Sequence, residues 1–154
     1  MRFLLTLLTG ALSLGAPFAL AEALPAGFND AQIRWHDLDS GRAKANAEGK
    51  PVFVLVHATW CPVCNEYKEV FFDPDVVAAS ADFVFVLIDR EAEPTAAESL
   101  APDGNYIPRS MFLTKTGEVD PSLNSGRRDF RYFLDPSQPA DLMSNLQEAL
   151  RKAR

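Results

Sequence analysis

The chain has 154 residues, 47% of them hydrophobic, and a formal net charge of −6 at neutral pH. A chain this acidic repels nucleic acid and anionic membrane surfaces, so neither is an expected partner. Its length suits one domain with a real core rather than an array of domains.

Residues 1–21 read as a cleaved signal peptide. Arg2 supplies a short positive start, residues 3–20 (FLLTLLTGALSLGAPFAL) are apolar, and Ala19-Leu20-Ala21 offers a small-x-small cleavage site. Gly10, Gly15 and Pro17 interrupt the run, which argues against a transmembrane anchor. The predicted organisation is therefore a leader over 1–21, cleaved near Ala21, and a single domain over 22–154. No second long apolar run follows, and no cysteine near residue 20 could carry a lipid, so no stable membrane insertion is expected after cleavage. The chain ends EALRKAR, without a Lys-Asp-Glu-Leu-type retention signal, which favours a periplasmic or otherwise exported location.

The first predicted helix lies in LDSGRAKANAEGKP, capped at Asp39 or Ser40, stopped at Gly49 and followed by Pro51. Two continuous apolar runs come next, residues 52–56 (VFVLV) and 83–88 (FVFVLI). They are β-branched or aromatic-rich and too short for typical helices, so they read as strands buried on both faces of a helix-covered sheet. Between them, apolar positions 63, 67, 70 and 71 predict a helix over 62–72. Asp73-Pro74 restarts a second, with Asp as N-cap and Pro in the first turn. Strand, helix and strand in this order imply a right-handed parallel crossover.

Residues 89–105 are polar, hold Pro94, Pro102 and Gly104, and read as an exposed insertion. SMFLTKTGEV then predicts a hairpin with its turn at 115–117. Residues 120–137 form a second irregular insertion, whose Arg127, Arg128 and Arg131 read as solvated charges. The last helix carries Leu142, Leu146, Ala149 and Leu150 on one face and basic residues at its end, which suit the dipole.

The two cysteines, Cys61 and Cys64, admit three readings: a structural staple, half of a metal site, or a redox couple. A disulfide closing four residues removes only about 2 kcal/mol of unfolded-state freedom, against about 3 for fifteen residues, so a staple would span more chain. Cys-x-x-Cys is half of a zinc site, but the only histidines, His36 and His57, form no paired knuckle with it; neither metal nor cofactor is expected. The redox reading has positive support. Pro62 fits a first helical turn, which places Cys61 at the N-terminus, where unpaired N–H groups favour thiolate over thiol. Cys64 lies one turn on, on the same face. A strand feeding this helix also sets the pair at the carboxyl end of a sheet strand, where open α/β sheets bind ligands.

The chain resembles the thioredoxin superfamily. An apolar strand leads into Trp60-Cys61-Pro62-Val63-Cys64, then a helix, a strand and a proline before the terminal hairpin. It is most similar to the small secretory-pathway thioredoxin-like proteins that include the anterior gradient family. The segments KPVFVLVHATWC and LAPDGNYIPRSMFLTKTGEV carry that likeness, which covers roughly residues 33–152. The resemblance implies an α/β fold, a thioredoxin-like three-layer α/β/α sandwich with a mixed sheet. It makes Cys61 the exposed attacking thiol and Cys64 the resolving one. Trp60 and Pro62 would border the substrate site. Pro108 falls where the superfamily has a cis-proline, leaving the backbone of Ile107 free to pair with an extended substrate chain. Arg109 would orient that loop or stand as a surface charge.

Two departures matter. Thioredoxins carry a buried acid six residues before the first active-site cysteine; here that residue is Leu55, and His57 is the nearest candidate proton relay. The dipeptide between the cysteines is Pro-Val rather than Gly-Pro, so thioredoxin-like reducing poise does not follow. The expected function is exchange of disulfides with cysteine-containing client proteins, with a second redox protein to recycle the pair. A non-catalytic module that binds clients in the groove beside Pro108 is the alternative.

Overall fold

The computed structural model describes residues 27–154, so the predicted leader lies outside the described residues. The two apolar runs form the centre of the sheet. Strands β2 (Val52–His57) and β3 (Val84–Asp89) pair in parallel, Val52 opposite Val84 and His57 opposite Asp89. A short β1 (Trp35–His36) adds to the outside of β3 in parallel. Strand β4 (Arg109–Leu113) runs antiparallel to β2, giving the order β1-β3-β2-β4.

Helix α1 (Leu38–Glu48) precedes β2, and α2 (Pro62–Tyr67) follows it directly. The helix predicted over 62–72 is regular only as far as Tyr67 and continues as a 3-10 segment, Lys68–Phe72. Then come α3 (Pro74–Ser80), α4 (Pro94–Ser99) and α5 (Pro139–Ala153). The sequence places the cap of α1 at Asp39 or Ser40. The cap is Asp37, whose carboxylate accepts from the Ser40 N–H at 2.8 Å, so the helix starts one residue before the first predicted cap. Gly49 ends α1 in the left-handed region, φ 66°, and Asp73 caps α3, both as the sequence predicts.

Side chains alternate across the sheet and build two cores. Phe53, Leu55, Phe85, Leu87 and Phe112 face one side with Tyr67, Phe71, Val76, Leu142 and Leu146 from α2, α3, α5 and the 3-10 segment. Val54, Val56, Val86, Ile88 and Met111 face the other with Leu38, Ala45 and Ala97 from α1 and α4. Helices therefore cover both faces of a mixed sheet, the three-layer α/β/α arrangement.

Three elements differ from the sequence reading. The insertion at 89–105 is not wholly exposed. It contains α4, whose Ala97 is buried together with Leu100 just beyond it. The predicted hairpin has one regular limb. After β4 the chain turns at Gly117 and returns through a single bridge, Leu113 to Val119. Pro121 ends the return, because it has no N–H to extend the ladder. The strand β1 was not predicted, since two residues are too few to give a period.

Candidate active site

Both cysteines lie just past the carboxyl end of β2. The Cys61 N–H donates to the Ala58 carbonyl at 3.2 Å in the turn that links strand to helix. Cys61 is then the N-cap of α2: its sulfur accepts from the Cys64 N–H at 3.2 Å, with Pro62 in the first turn. The geometry follows from the spacing. Residue N-cap to N3 is one turn, so a C-x-x-C pair starting at a cap brings the two sulfurs to one face. No S–S bond joins the two cysteines in this structure.

The sequence reading made Cys61 exposed, and here the structure corrects it. Cys61 is 5% exposed and Cys64 1%. Ala58, Val63 and Ile107 pack with the two cysteines, and the Cys61 sulfur is also turned inward as a helix cap. Burial, reinforced by the hydrogen bond with Cys61, pushes the Cys64 thiol up to about 12.

The Ile107–Pro108 peptide is cis. Ile107 contributes its side chain to the cysteine cluster. Among the described residues, no hydrogen bond takes up the Ile107 N–H or C=O, so this main-chain edge is open. Trp60, immediately before Cys61, is 62% exposed, and Pro62 also faces solvent. Cys61, Cys64 and Ile107 thus come together as one cluster, with Trp60 at its margin.

His57 is elsewhere. It lies on the side of β2 that faces α2, 1% exposed, with its ring 4.8 Å from that of Phe28. Neither ring nitrogen has a hydrogen-bond partner among the described residues. Burial lowers its pKa, Asp89 opposing and Lys68 reinforcing the shift. Leu55, at the position of the thioredoxin acid, is fully buried in the aromatic core.

Arg109 is no surface charge. It is fully buried and donates from Nε to the Leu100 carbonyl at 3.1 Å and from its terminal nitrogens to Ala97 O, Tyr106 O and Asn105 Oδ1. One cation therefore ties the end of α4 to the loop that leads into the cis-proline. The sequence reading missed a second brace. The Ser110 hydroxyl, two residues past Pro108, donates to the Tyr67 hydroxyl at 3.0 Å and links β4 to α2. A serine inside the apolar run SMFL was the available signal.

Comparison with known proteins agrees with this architecture. A family model described as thioredoxin-like matches residues 34–115. The solution structure of a thioredoxin from Thermus thermophilus superimposes with a TM-score of 0.59 at 25% identity, covering 79% of this chain and 90% of that one. The chain belongs to the thioredoxin-like family. Within it, the relatives include the human anterior gradient protein 2 homolog, 32% identical over 138 residues, 86% of this chain and 74% of that protein. Anterior gradient protein 3 of Xenopus tropicalis is 28% identical over 141 residues, 91% of this chain and 85% of that protein.

Proposed function

We propose that this protein is an exported thiol–disulfide oxidoreductase that exchanges disulfides with client proteins through Cys61 and Cys64. The observation that carries the reading is the juxtaposition of the two free sulfurs at the start of α2 with the open main-chain edge of Ile107 beside the cis-proline. Its residues 1–21 serve as the leader, the remainder acts as one domain, and the site of action is the periplasm or another exported location.

In the reducing direction, the Cys61 thiolate attacks a client disulfide. A Cys61–client bond forms, the client S–S bond breaks, and one client thiolate leaves and takes a proton. Cys64, giving its proton to solvent or a relay, then attacks the Cys61 sulfur. The second client thiolate leaves, and the Cys61–Cys64 disulfide remains. The client has gained two electrons and the pair has lost two, which a recycling redox protein returns. Oxidation of a client dithiol is the same sequence reversed. No metal or cofactor is needed, because sulfur supplies the chemistry. The Cys64 proton needs an acceptor, and we assign that role to His57, the nearest titratable side chain before the pair along the sequence, since Leu55 cannot fill it. Loss of mixed-disulfide resolution in His57→Phe, at unchanged Cys61 reactivity, checks that assignment.

Cys61→Ser abolishes turnover of a disulfide substrate, whereas Cys64→Ser accumulates covalent client adducts that dithiothreitol releases. Turnover retained in Cys61→Ser ends the proposal. Titration against glutathione buffers with thiol trapping then gives the direction of electron flow. The near-complete burial of Cys61 favours a second reading, a client-binding module that uses the groove beside Pro108 without turnover. Client affinity unchanged after both cysteines become serine, with no exchange in wild type, selects it.

A further inference from the structure

Among the described residues the large exposed hydrophobics are Trp60, Phe72 and Phe130. Two of the three border the candidate site. Trp60 precedes Cys61. Phe130 belongs to the second insertion and is 55% exposed, yet its ring meets that of Tyr106 edge to face, centroids 4.9 Å apart. Tyr106 is two residues before the cis-proline.

Phe130 is not a loose surface aromatic. Its backbone lies in the left-handed region, φ 55°, which a bulky side chain rarely adopts. Bonds from the two residues that follow it hold it there. The Arg131 N–H donates to the Asp103 carboxylate at 2.7 Å, the Tyr132 N–H donates to the Tyr106 hydroxyl at 2.9 Å, and the Ser110 N–H donates to the Tyr132 carbonyl at 2.7 Å. The insertion is thus sewn to the loop that ends in Ile107–Pro108, and the stitching turns an aromatic ring toward solvent beside that loop.

The geometry points to a specificity platform, formed by Tyr106 and Phe130, for an apolar or aromatic client residue next to the client's cysteine. The inference rests on the reading that Ile107 pairs with an extended client chain. Side chains alternate along paired strands, and directly opposed residues share a face. Ile107 points at the cysteines, so the client residue opposite it presents its sulfur there. The next client residue falls on the opposite face, the face of Tyr106 and hence of Phe130. The preferred client is an extended polypeptide in which the residue flanking the cysteine is apolar, a sequence exposed in unfolded rather than folded chains.

The test uses decapeptides that differ only at the residue flanking cysteine: Phe, Leu, Ser or Asp. Each is offered as its thionitrobenzoate mixed disulfide, whose chromophore release reads the exchange rate, and as a serine-for-cysteine analogue, whose binding is read by fluorescence anisotropy. Wild type favours Phe and Leu over Ser by roughly two- to tenfold, the range of a single aromatic contact. In Phe130→Asn the ratio falls below about twofold; asparagine accepts the left-handed conformation, so the loop is retained. Phe72→Ser, an exposed aromatic outside the site, keeps the wild-type ratio. No preference in wild type, an unchanged ratio in Phe130→Asn, or a lost ratio in Phe72→Ser overturns the platform. Exchange without preference leaves the redox reading standing alone. Preferential binding of the serine peptides without any exchange does the reverse, and neither binding nor exchange overturns both.

Discussion

Arg109 carries its charge into the interior and, among the described residues, forms no salt bridge with a carboxylate. It is held by carbonyl oxygens of Ala97, Leu100 and Tyr106 and the side-chain oxygen of Asn105. The planar fork of a guanidinium can address several acceptors at once, which an ammonium cannot. Arg109→Met leaves buried carbonyls without donors and lowers unfolding free energy by at least about 2 kcal/mol in urea denaturation, and Arg109→Lys recovers only part of it. The sequence raised Arg109 either as a loop organiser or as a surface charge. It could not decide, because the acceptors are main-chain atoms that carry no residue signature. His57 has a pH signature. Its ordinary pKa is 6.5, and burial lowers the folded value. Above about pH 6.5 the ring is neutral in both states and adds no slope. Below it, the unfolded chain takes up a proton that the folded chain refuses, so stability declines toward the depressed folded pKa. His36 shifts the same way, by burial first, so the slope between about pH 5 and 7 is expected to shrink, not vanish, in His57→Leu. Equal slopes in both proteins would remove His57 as the cause. Cys64 is both sealed and hard to ionise, so iodoacetamide on the reduced, folded chain leaves it unmodified at about pH 8, and peptide mapping finds any label on Cys61.

Helix α1 reaches the sheet through a glycine. A Cβ built on Gly41 would lie 2.4 Å from a Val86 methyl and 3.4 Å from the His36 Cβ, so α1 sits closer to β3 than any side chain permits. Alanine normally favours a helix over glycine by about 1 kcal/mol. Here the contact decides the sign: Gly41→Ala lowers the melting temperature, by an overpacking cost of about 1–3 kcal/mol, and Val86→Ala in the same chain restores part of it. Nothing in the sequence marks Gly41 as a contact point, since the close approach belongs to a strand more than forty residues away. The α2 region shows the opposite relation. Apolar positions 63, 67, 70 and 71 were legible as a turn-by-turn pattern, but the tightening into a 3-10 segment after Tyr67 was not. Periodicities of 3.6 and 3.0 are not separable over two turns. The return limb after β4 failed for a related reason, one bridge being shorter than any pattern.

Across the whole molecule, the two cores differ in kind. The face under α2, α3 and α5 is aromatic, with Phe53 packed against Phe85 at 4.8 Å and Phe112 at 5.4 Å, while the face under α1 and α4 is mainly valine, isoleucine and leucine. Alternation along residues 52–57 and 84–88 produces both, so the layer order could be read from two short strings. Those strings, the cap residues and the spacing of Cys61, Pro62 and Cys64 were decided locally, because each depends on the period and torsions of neighbouring residues. The depth of Cys61, the brace from Ser110 to Tyr67, the anchoring of Arg109 and the placement of Phe130 against Tyr106 were decided only when distant segments met. Packing and hydrogen bonding across such separations depend on where the chain returns, and a linear pattern does not encode that.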